Sequence, residues 1–409
     1  MMETIPTPFS ITLRSEQPDF LDLPWSLPLQ QWTGRSPRLE EAARGLSRHP
    51  VVFANYSGVL YALKELPPDL AEKEFKLLSR MEAARLPVVA PVGHVRTETL
   101  QGPSSVLITR YLERSLPYRS LFMSSSLERY RDHLLDAITG LLVQLHLAGV
   151  FWGDCSLSNT LFRRDAGALQ AYLVDAETAE VHPERLPPAL RFQELEVMEE
   201  NVDGDLVDLQ AEGFLPGGML FMDVGASIRL RYQNLWEEIT RQEVISHNER
   251  YRIQERIRAL NSLGFSIREV LLEEGRDGEQ LRFRVSVTAR NFHRDQLASL
   301  TGIESEEMQA RKMMNEIHEV QATLSQTSDS STPLSVAAYH WLENVYRPTV
   351  ERLEPFLGPG QDLPEMYCQV LEHKWYLSEQ ARQDVGHQAA VEDYIQNYLP
   401  RFDSQMRLF

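Results

Sequence analysis

Trp152-Gly153-Asp154-Cys155-Ser156-Leu157-Ser158-Asn159, followed by Leu173-Val174-Asp175-Ala176-Glu177, is the stretch that decides the fold. An Asp five residues before an Asn, with a second Asp after the next apolar strand, is a spacing suited to metal-assisted phosphoryl transfer. One carboxylate orients an attacking hydroxyl, while a side-chain amide and a second carboxylate hold Mg²⁺ on nucleotide phosphates. Alone, Asp-x-x-x-x-Asn is ordinary turn chemistry. The flanks give it weight.

Upstream, Ser125 and Glu128 form a capping box, and Leu127, Tyr130, Leu134, Ile138, Leu141, Leu142 and Leu145 recur at helical spacing before Gly149. Downstream, Thr160-Leu161-Phe162 and Ala171-Tyr172-Leu173-Val174 bracket the polar turn Arg163 to Leu169, a hairpin. A helix thus delivers a loop, and a hairpin returns a second carboxylate to it. Further out, Arg38 to Lys64 reads as a small sheet, with Val51-Val52-Phe53-Ala54 pairing through Asn55-Tyr56-Ser57-Gly58 with Val59 to Lys64. Arg44-Gly45-Leu46-Ser47-Arg48-His49 is either a reduced phosphate-covering turn, with Gly45 and Ser47 against the cofactor, or a plain hairpin connection. Pro67-Pro68-Asp69 starts a helix whose apolar face holds Leu70, Leu77, Leu78 and Met81, with Glu74 among them and Glu72 outside beside Lys73 and Lys76. An inward carboxylate needs a cationic partner. Lys64, ending an apolar strand, is that candidate, so Glu74 is preferred to Glu72. After the strand Val106-Leu107-Ile108-Thr109, Arg110-Tyr111-Leu112 would be a hinge offering backbone groups to adenine.

Lys64, Glu74, Asp154, Asn159 and Asp175, in this order, resemble the protein-kinase-like superfamily, and within it the lipopolysaccharide (Kdo/WaaP-type) kinase branch. The whole chain, including Ala62-Leu63-Lys64-Glu65-Leu66-Pro67 and Leu371-Glu372-His373-Lys374-Trp375-Tyr376-Leu377-Ser378-Glu379, resembles a bacterial family pairing such a half with a C-terminal domain of unknown function. The resemblance implies an α+β chain: a bilobal kinase-like fold, then a mostly helical domain with a β-hairpin. It implies ATP and Mg²⁺ as cofactors, with Lys64 on the phosphates, Glu74 positioning Lys64, Asp154 orienting the acceptor, and Asn159 and Asp175 on the metal. Trp152-Gly153 stands where the family has His-Arg, and Ala176-Glu177 where it has Phe-Gly. Losing the Arg argues against an activation-loop phosphorylation switch. Glu177 is read as solvated rather than as a metal contact.

The 409 residues suffice for two domains, expected at 1–262 (an arm, a sheet lobe over 38–112, a helical lobe over 113–262) and 263–409. A formal charge of -18 argues against nucleic-acid binding. Cys155 and Cys368, the only cysteines, give no disulfide framework and point to a reducing compartment. Without an apolar run of membrane-spanning length or a signal-peptide pattern in Met1 to Ser10, the expected location is cytoplasmic. In the arm, Trp25 and Trp32 are expected to pack on the first lobe. Arg191 to Glu212 reads as an acidic helix, and Leu235 to Leu263 as one long charged helix. Leu281 to Arg290 alternates apolar residues with a basic row including Arg282 and Arg284. That row is expected to be solvated and paired with Glu273 and Glu274, rather than bound to a phosphate or an acidic partner. Helices follow at 304–324, 336–356, 365–375 and 377–398, with His373, Trp375 and Tyr376 expected in the core rather than on a ligand surface. No structural zinc is expected, nor a nucleophilic role for Cys155.

Three functions remain. The first is an ATP- and Mg²⁺-dependent phosphotransferase acting on a hydroxyl of a sugar, small molecule or protein. The second is a nucleotide-binding regulator whose C-terminal domain is an interaction module. The third is a scaffold without nucleotide.

Overall fold

The computed structural model describes residues 9–42, 48–99, 101–123, 127–213, 223–246, 249, 251–274, 280–328, 331–356 and 362–398. Ser125 of the capping box, Pro216-Gly217-Gly218, expected from the sequence to break the chain after the acidic helix, Asp277-Gly278, expected in a hairpin turn over Glu273 to Gln280, and the phosphate-loop candidates Gly45 and Ser47 lie outside them. The chain divides into two compact units. One holds residues up to Arg163 with Gln170–Arg241, the other Arg164–Leu169 with the chain from Gln242.

The first unit opens with a six-stranded antiparallel sheet. Its strands are β1 (Phe9–Leu13), β2 (Leu39–Glu40), β3 (Val51–Tyr56), β4 (Val59–Leu66), β5 (Pro91–Thr99) and β6 (Gly102–Arg110), in the order β1-β5-β6-β4-β3-β2. A two-residue turn closes β3 on β4, with Ser57 at φ 55 and Gly58 at φ 85, the backbone that matches strand twist. Asn55 accepts the Gly58 N–H at 2.9 Å and fixes the register. Helix α1 (Leu70–Ala83) lies on β5 and β6 and buries Ala71, Leu78 and Met81. On the sheet, Phe20, Trp25, Leu29 and Trp32 of the arm share a core with Tyr61, Leu63, Val95 and Val106. The arm also supplies β1, an edge strand that composition did not reveal.

After β7 (Leu116–Pro117), α2 (Tyr118–Met123) and α3 (Leu127–Leu147) come β8 (Val150–Phe151), the hairpin β9 (Thr160–Asp165) and β10 (Ala168–Leu173), and β11 (Glu180–Val181). Helices α4 (Pro188–Ala211) and α5 (Val224–Thr240) close the unit. Leu134, Ile138, Leu141, Leu142 and Leu145 give α3 a buried stripe, and α3 packs on α5. β8 and β11 pair antiparallel on either side of the Trp152–Asn159 loop and the Asp175 turn.

The second unit opens with β12 (Gln242–Ser246), α6 (Tyr251–Ser262), β13 (Phe265–Glu274) and β14 (Gln280–Arg290), whose strands form a sheet in the order β12-β14-β13. The long helix expected over Leu235–Leu263 is therefore two helices and a strand. Gln242-Glu243-Val244-Ile245-Ser246 carries two adjacent β-branched residues and gains a ladder on β14 with Ile245 buried, so tertiary pairing overrides helical propensity. Helices α7 (Phe292–Thr301), α8 (Glu307–Ser328), α9 (Leu334–Trp341), α10 (Arg347–Leu353), α11 (Leu363–Ala381) and α12 (His387–Asp393) complete the unit. Its core includes Met313, Met314, Ile317, Trp341 and Tyr367. The break expected near Tyr376 lies instead after Ala381, where Arg382 takes a left-handed backbone.

Within this unit Asp165 is buried, and accepts the N–H groups of Met308 and Gln309 at 3.1 and 2.8 Å. Burial pushes its carboxyl up from 3.8 to about 7, and the carboxylates of Glu306 and Glu365 add to this. A carboxyl raised by folding contributes stability that is complete below the unfolded pKa and is lost as pH rises through the folded one. The wild-type melting temperature is therefore expected to fall relative to that of Asp165→Asn between about pH 4 and pH 7. Parallel thermal melts across that window check it. A constant difference rejects Asp165 as the titrating group.

Candidate active site

Strand β4 and helix α1 set the first half of the site. Lys64 Nζ lies 3.0 Å from Glu74 Oε2 and 2.9 Å from Asp175 Oδ2. Glu74 is fully buried, and its Oε1 also accepts the Ala176 N–H at 3.0 Å. Burial works against the ammonium charge of Lys64, but Glu74 and Asp175 together outweigh it, and its pKa is raised. Burial raises the Glu74 carboxyl; Lys64 opposes that shift. Glu72 points elsewhere, pairing with Lys76 at 2.6 Å and with Arg96. The carboxylates of Glu74, Asp175 and Glu177 offer oxygens within 4.8 Å of one another. His49 lies 3.3 Å from Glu177, and Lys73 donates to the Glu177 carbonyl at 3.0 Å.

The second half is the loop after β8. Asp154 is held from both sides. Asn159 Nδ2 donates to Oδ2 at 3.0 Å, and Asn201 Nδ2, from α4, donates to Oδ1 at 3.0 Å. The loop is tied to the Asp175 turn by Trp152 Nε1, which donates to the Asp175 carbonyl at 2.7 Å, and by the Val174 N–H, which donates to the Asn159 carbonyl at 3.2 Å. Gly153 has φ +83, and a Cβ there would sit 3.2 Å from the Thr178 carbonyl oxygen. A side chain at that left-handed position would be strained.

Helix α4 supports this loop from beneath. Buried Glu194 accepts the N–H groups of Trp152 at 2.5 Å and Gly153 at 3.0 Å, and Asp205 accepts that of Ser158 at 3.0 Å. His146, also buried, donates or accepts at Tyr232 OH, 2.7 Å away, and its Nε2 lies 3.9 Å from Glu194. Reading Arg191–Glu212 only as an acidic helix missed Glu194, Asn201 and Asp205. A signal was present: they fall at i, i+7 and i+11, alongside the apolar stripe Leu195, Met198, Val202, Leu206 and Leu209, all buried.

Other candidate residues sit as follows. The Arg110 N–H donates to the Ala90 carbonyl at 2.8 Å and the Tyr111 N–H to the Leu60 carbonyl at 2.9 Å. Among the described residues the Leu112 N–H has no recorded partner, which makes it the open donor of the three. Cys155 is fully buried, and burial pushes its thiol well up. In the second unit, Trp375 is 65% and Tyr376 52% exposed, so the core placement expected for them is wrong. They share a helical face with Glu372 and Glu379, a pattern the aromatic spacing alone hid. His373 instead pairs with Asp393 at 2.7 Å. The expected contact of Arg282 and Arg284 with Glu273 is also not formed, and the Glu274 side chain lies outside the described residues.

Two family models match the chain. Residues 58–201 match the lipopolysaccharide kinase (Kdo/WaaP) family, and residues 234–399 match a domain of unknown function (DUF4032). The resemblance drawn from Lys64, Glu74, Asp154, Asn159 and Asp175 is borne out: a kinase-like N-terminal half precedes a C-terminal domain of unknown function. No curated protein matches the chain. Among solved structures, one described as "WaaP in complex with acyl carrier protein" is 16% identical; the match covers 62% of this chain and 98% of that one, with a TM-score of 0.35. Among the described residues no helix is long and apolar enough to cross a membrane.

Proposed function

We propose that the first unit is a bilobal, kinase-like phosphotransferase that moves the γ-phosphoryl group of Mg·ATP to a hydroxyl of a sugar, small molecule or protein. The observation that carries this reading is Lys64 held between Glu74 and Asp175, at 3.0 and 2.9 Å. Ion pairs of that kind aim a cation at nucleotide phosphates. Lys64 binds the phosphates, and Glu74 fixes its direction.

Asp175 and Asn159 fit a hard divalent cation. The Asn159 amide nitrogen is committed to Asp154, while its Oδ1 has no partner among the described residues. With the Asp175 carboxylate this makes an all-oxygen donor set, which suits Mg²⁺. When bound, the ion neutralises charge on the phosphate oxygens. Asp154 accepts the acceptor hydroxyl's hydrogen bond and directs it at the phosphorus. The Leu112 N–H meets the base. Trp152, bonded to the Asp175 carbonyl, holds the two loops together without the Arg that a phosphorylation switch uses.

Lys64→Ala is expected to weaken Mg·ATP binding by about 10–100-fold, the worth of one charge-assisted hydrogen bond. Calorimetric titration of Mg·ATP into the full chain checks this, and unchanged affinity overturns the pocket assignment. Labelled ATP and Mg²⁺, with and without cell extract, then test for a labelled acceptor.

A further inference from the structure

The sheet of the second unit is buried on one face over its centre, with Leu272 at the end of that face 50% exposed, and open on the other. Ile245, Phe283 and Val285 fill the buried face. Strand pairing places the alternate residues in two rungs on the other face: Gln242, Arg284 and Leu271 in one, Val244, Arg282 and Glu273 in the next. Val244 is 49% and Leu271 48% exposed, so the face is open. Gln242, Leu271, Glu273, Arg282, Phe283 and Arg284 line a depression of about 70 Å³.

Arg282 and Arg284 make no ion pair among the described residues, although the chain carries 59 acidic residues against 41 Lys and Arg. Arg284 faces Gln242 on one side and Leu271 on the other, so no carboxylate stands directly beside it. Two guanidinium groups on one face of a strand, one residue between them, are about 7 Å apart at their roots. Glu273, opposite Arg282 on the same face and lining the depression, makes no ion pair with either guanidinium among the described residues, so the two positive charges keep room for an added anion. Their planar forks match the oxygens of a phosphate, Gln242 adds a neutral donor, and Leu271 offers an apolar wall.

We propose that Arg282, Arg284 and Gln242 form a binding site for a phosphate monoester, separate from the nucleotide pocket. The dianion bridges the two guanidinium groups, and the group esterified to it lies along Leu271. The same chemistry occurs on a soluble sugar phosphate and on the headgroup of phosphatidic acid. This site does not depend on the phosphotransfer reading.

The test uses the full chain at physiological salt, with inorganic phosphate and a hexose 6-phosphate by calorimetry, and vesicles with and without phosphatidic acid by co-sedimentation. Wild type is expected to bind a phosphate monoester from one of these sources. Arg282→Gln and Arg284→Gln should each weaken that binding by about tenfold or more. Arg284→Lys, which keeps the charge and loses the fork, should fall between. Arg268→Gln, on the same sheet, and Lys64→Ala should leave it unchanged, and circular dichroism should show every variant folded. Binding to sugar phosphate identifies a soluble ligand, and binding only to phosphatidic acid vesicles identifies a headgroup. No binding to any probe overturns the proposal. So does binding that the two glutamine variants leave intact, that Lys64→Ala removes, or that an acidic peptide matches without competition from phosphate.

Discussion

Asp154→Asn is expected to lower phosphoryl transfer by about 10²–10⁴-fold, the usual contribution of a positioned base. Mg·ATP affinity should stay within about tenfold of wild type, because an interaction made mainly in the transition state lowers turnover and spares ground-state binding. Both Asp154 oxygens already accept an amide, from Asn159 at 3.0 Å and from Asn201 at 3.0 Å. An asparagine at this position must turn its own NH₂ toward one of them, so one bond is lost and one partner must rotate. Rotation of Asn201 breaks its second bond, to the Cys155 carbonyl at 3.2 Å, and leaves Asn159 in place. Rotation of Asn159 instead withdraws its Oδ1 from the metal. Modest loss of Mg·ATP affinity thus reports which amide moves. Asp175→Asn is the contrast: it removes the proposed metal ligand and the observed Lys64 partner together, and should lose binding and transfer. Single-turnover assays with titration of Mg·ATP separate the cases. Should wild type bind Mg·ATP yet label no acceptor, and Asp154→Asn behave identically in cells, the regulator reading replaces the enzyme.

The fold was most legible where local pattern and tertiary role agree. The Asp154–Asn159 loop, the hairpin after it and the helix before it each follow from turn chemistry and apolar periodicity, and the structure builds them there. Glu74 was separable from Glu72 because only one of them lies on the apolar face of α1, and that one is buried. Legibility failed where a partner far away in sequence decides the outcome. Phe9-Ser10-Ile11-Thr12-Leu13 does alternate apolar and polar residues, but the stretch is short and sits in a proline-rich arm, and its place as an edge strand is decided by pairing with β5. Gln242–Ser246 sits inside a helical run and becomes a strand only through β14. Trp375 and Tyr376 have the spacing of core residues, yet the α11 stripe that packs inward includes Met366, Tyr367 and Val370 instead. The α4 residues beneath the loop were hidden differently. An acidic helix suggests a solvated surface, and the carboxylates of Glu194 and Asp205 are inward only because backbone N–H groups of a distant loop need acceptors.

That dependence yields the other large effect. Glu194→Ala is expected to destabilise the protein by about 2–6 kcal/mol, since two N–H groups lose their acceptor at about 1–3 kcal/mol each. Trp152 and Gly153 donate to the two oxygens of this one carboxylate, at 2.5 and 3.0 Å, and the indole of Trp152 has no exposed surface through which water could replace it. Glu194→Gln should fall between, because one oxygen still accepts while the new NH₂ meets the other N–H donor to donor. Glu199→Ala is the control on the same helix. Glu199 pairs with Arg229 at a site where the side chains are 29% and 32% exposed, and such pairs contribute at most about 1 kcal/mol. Urea denaturation of the three variants gives the ordering. Loss of fold is not the only readout. At a temperature where Glu194→Gln remains folded, its turnover should fall by a larger factor than its Mg·ATP affinity, because the loop that drifts carries Asp154 together with Asn159, while Lys64 and Glu74 lie on β4 and α1. Equal stability of Glu194→Ala and Glu199→Ala would show that the loop holds its shape without α4, and the support assigned to that helix would have to be abandoned.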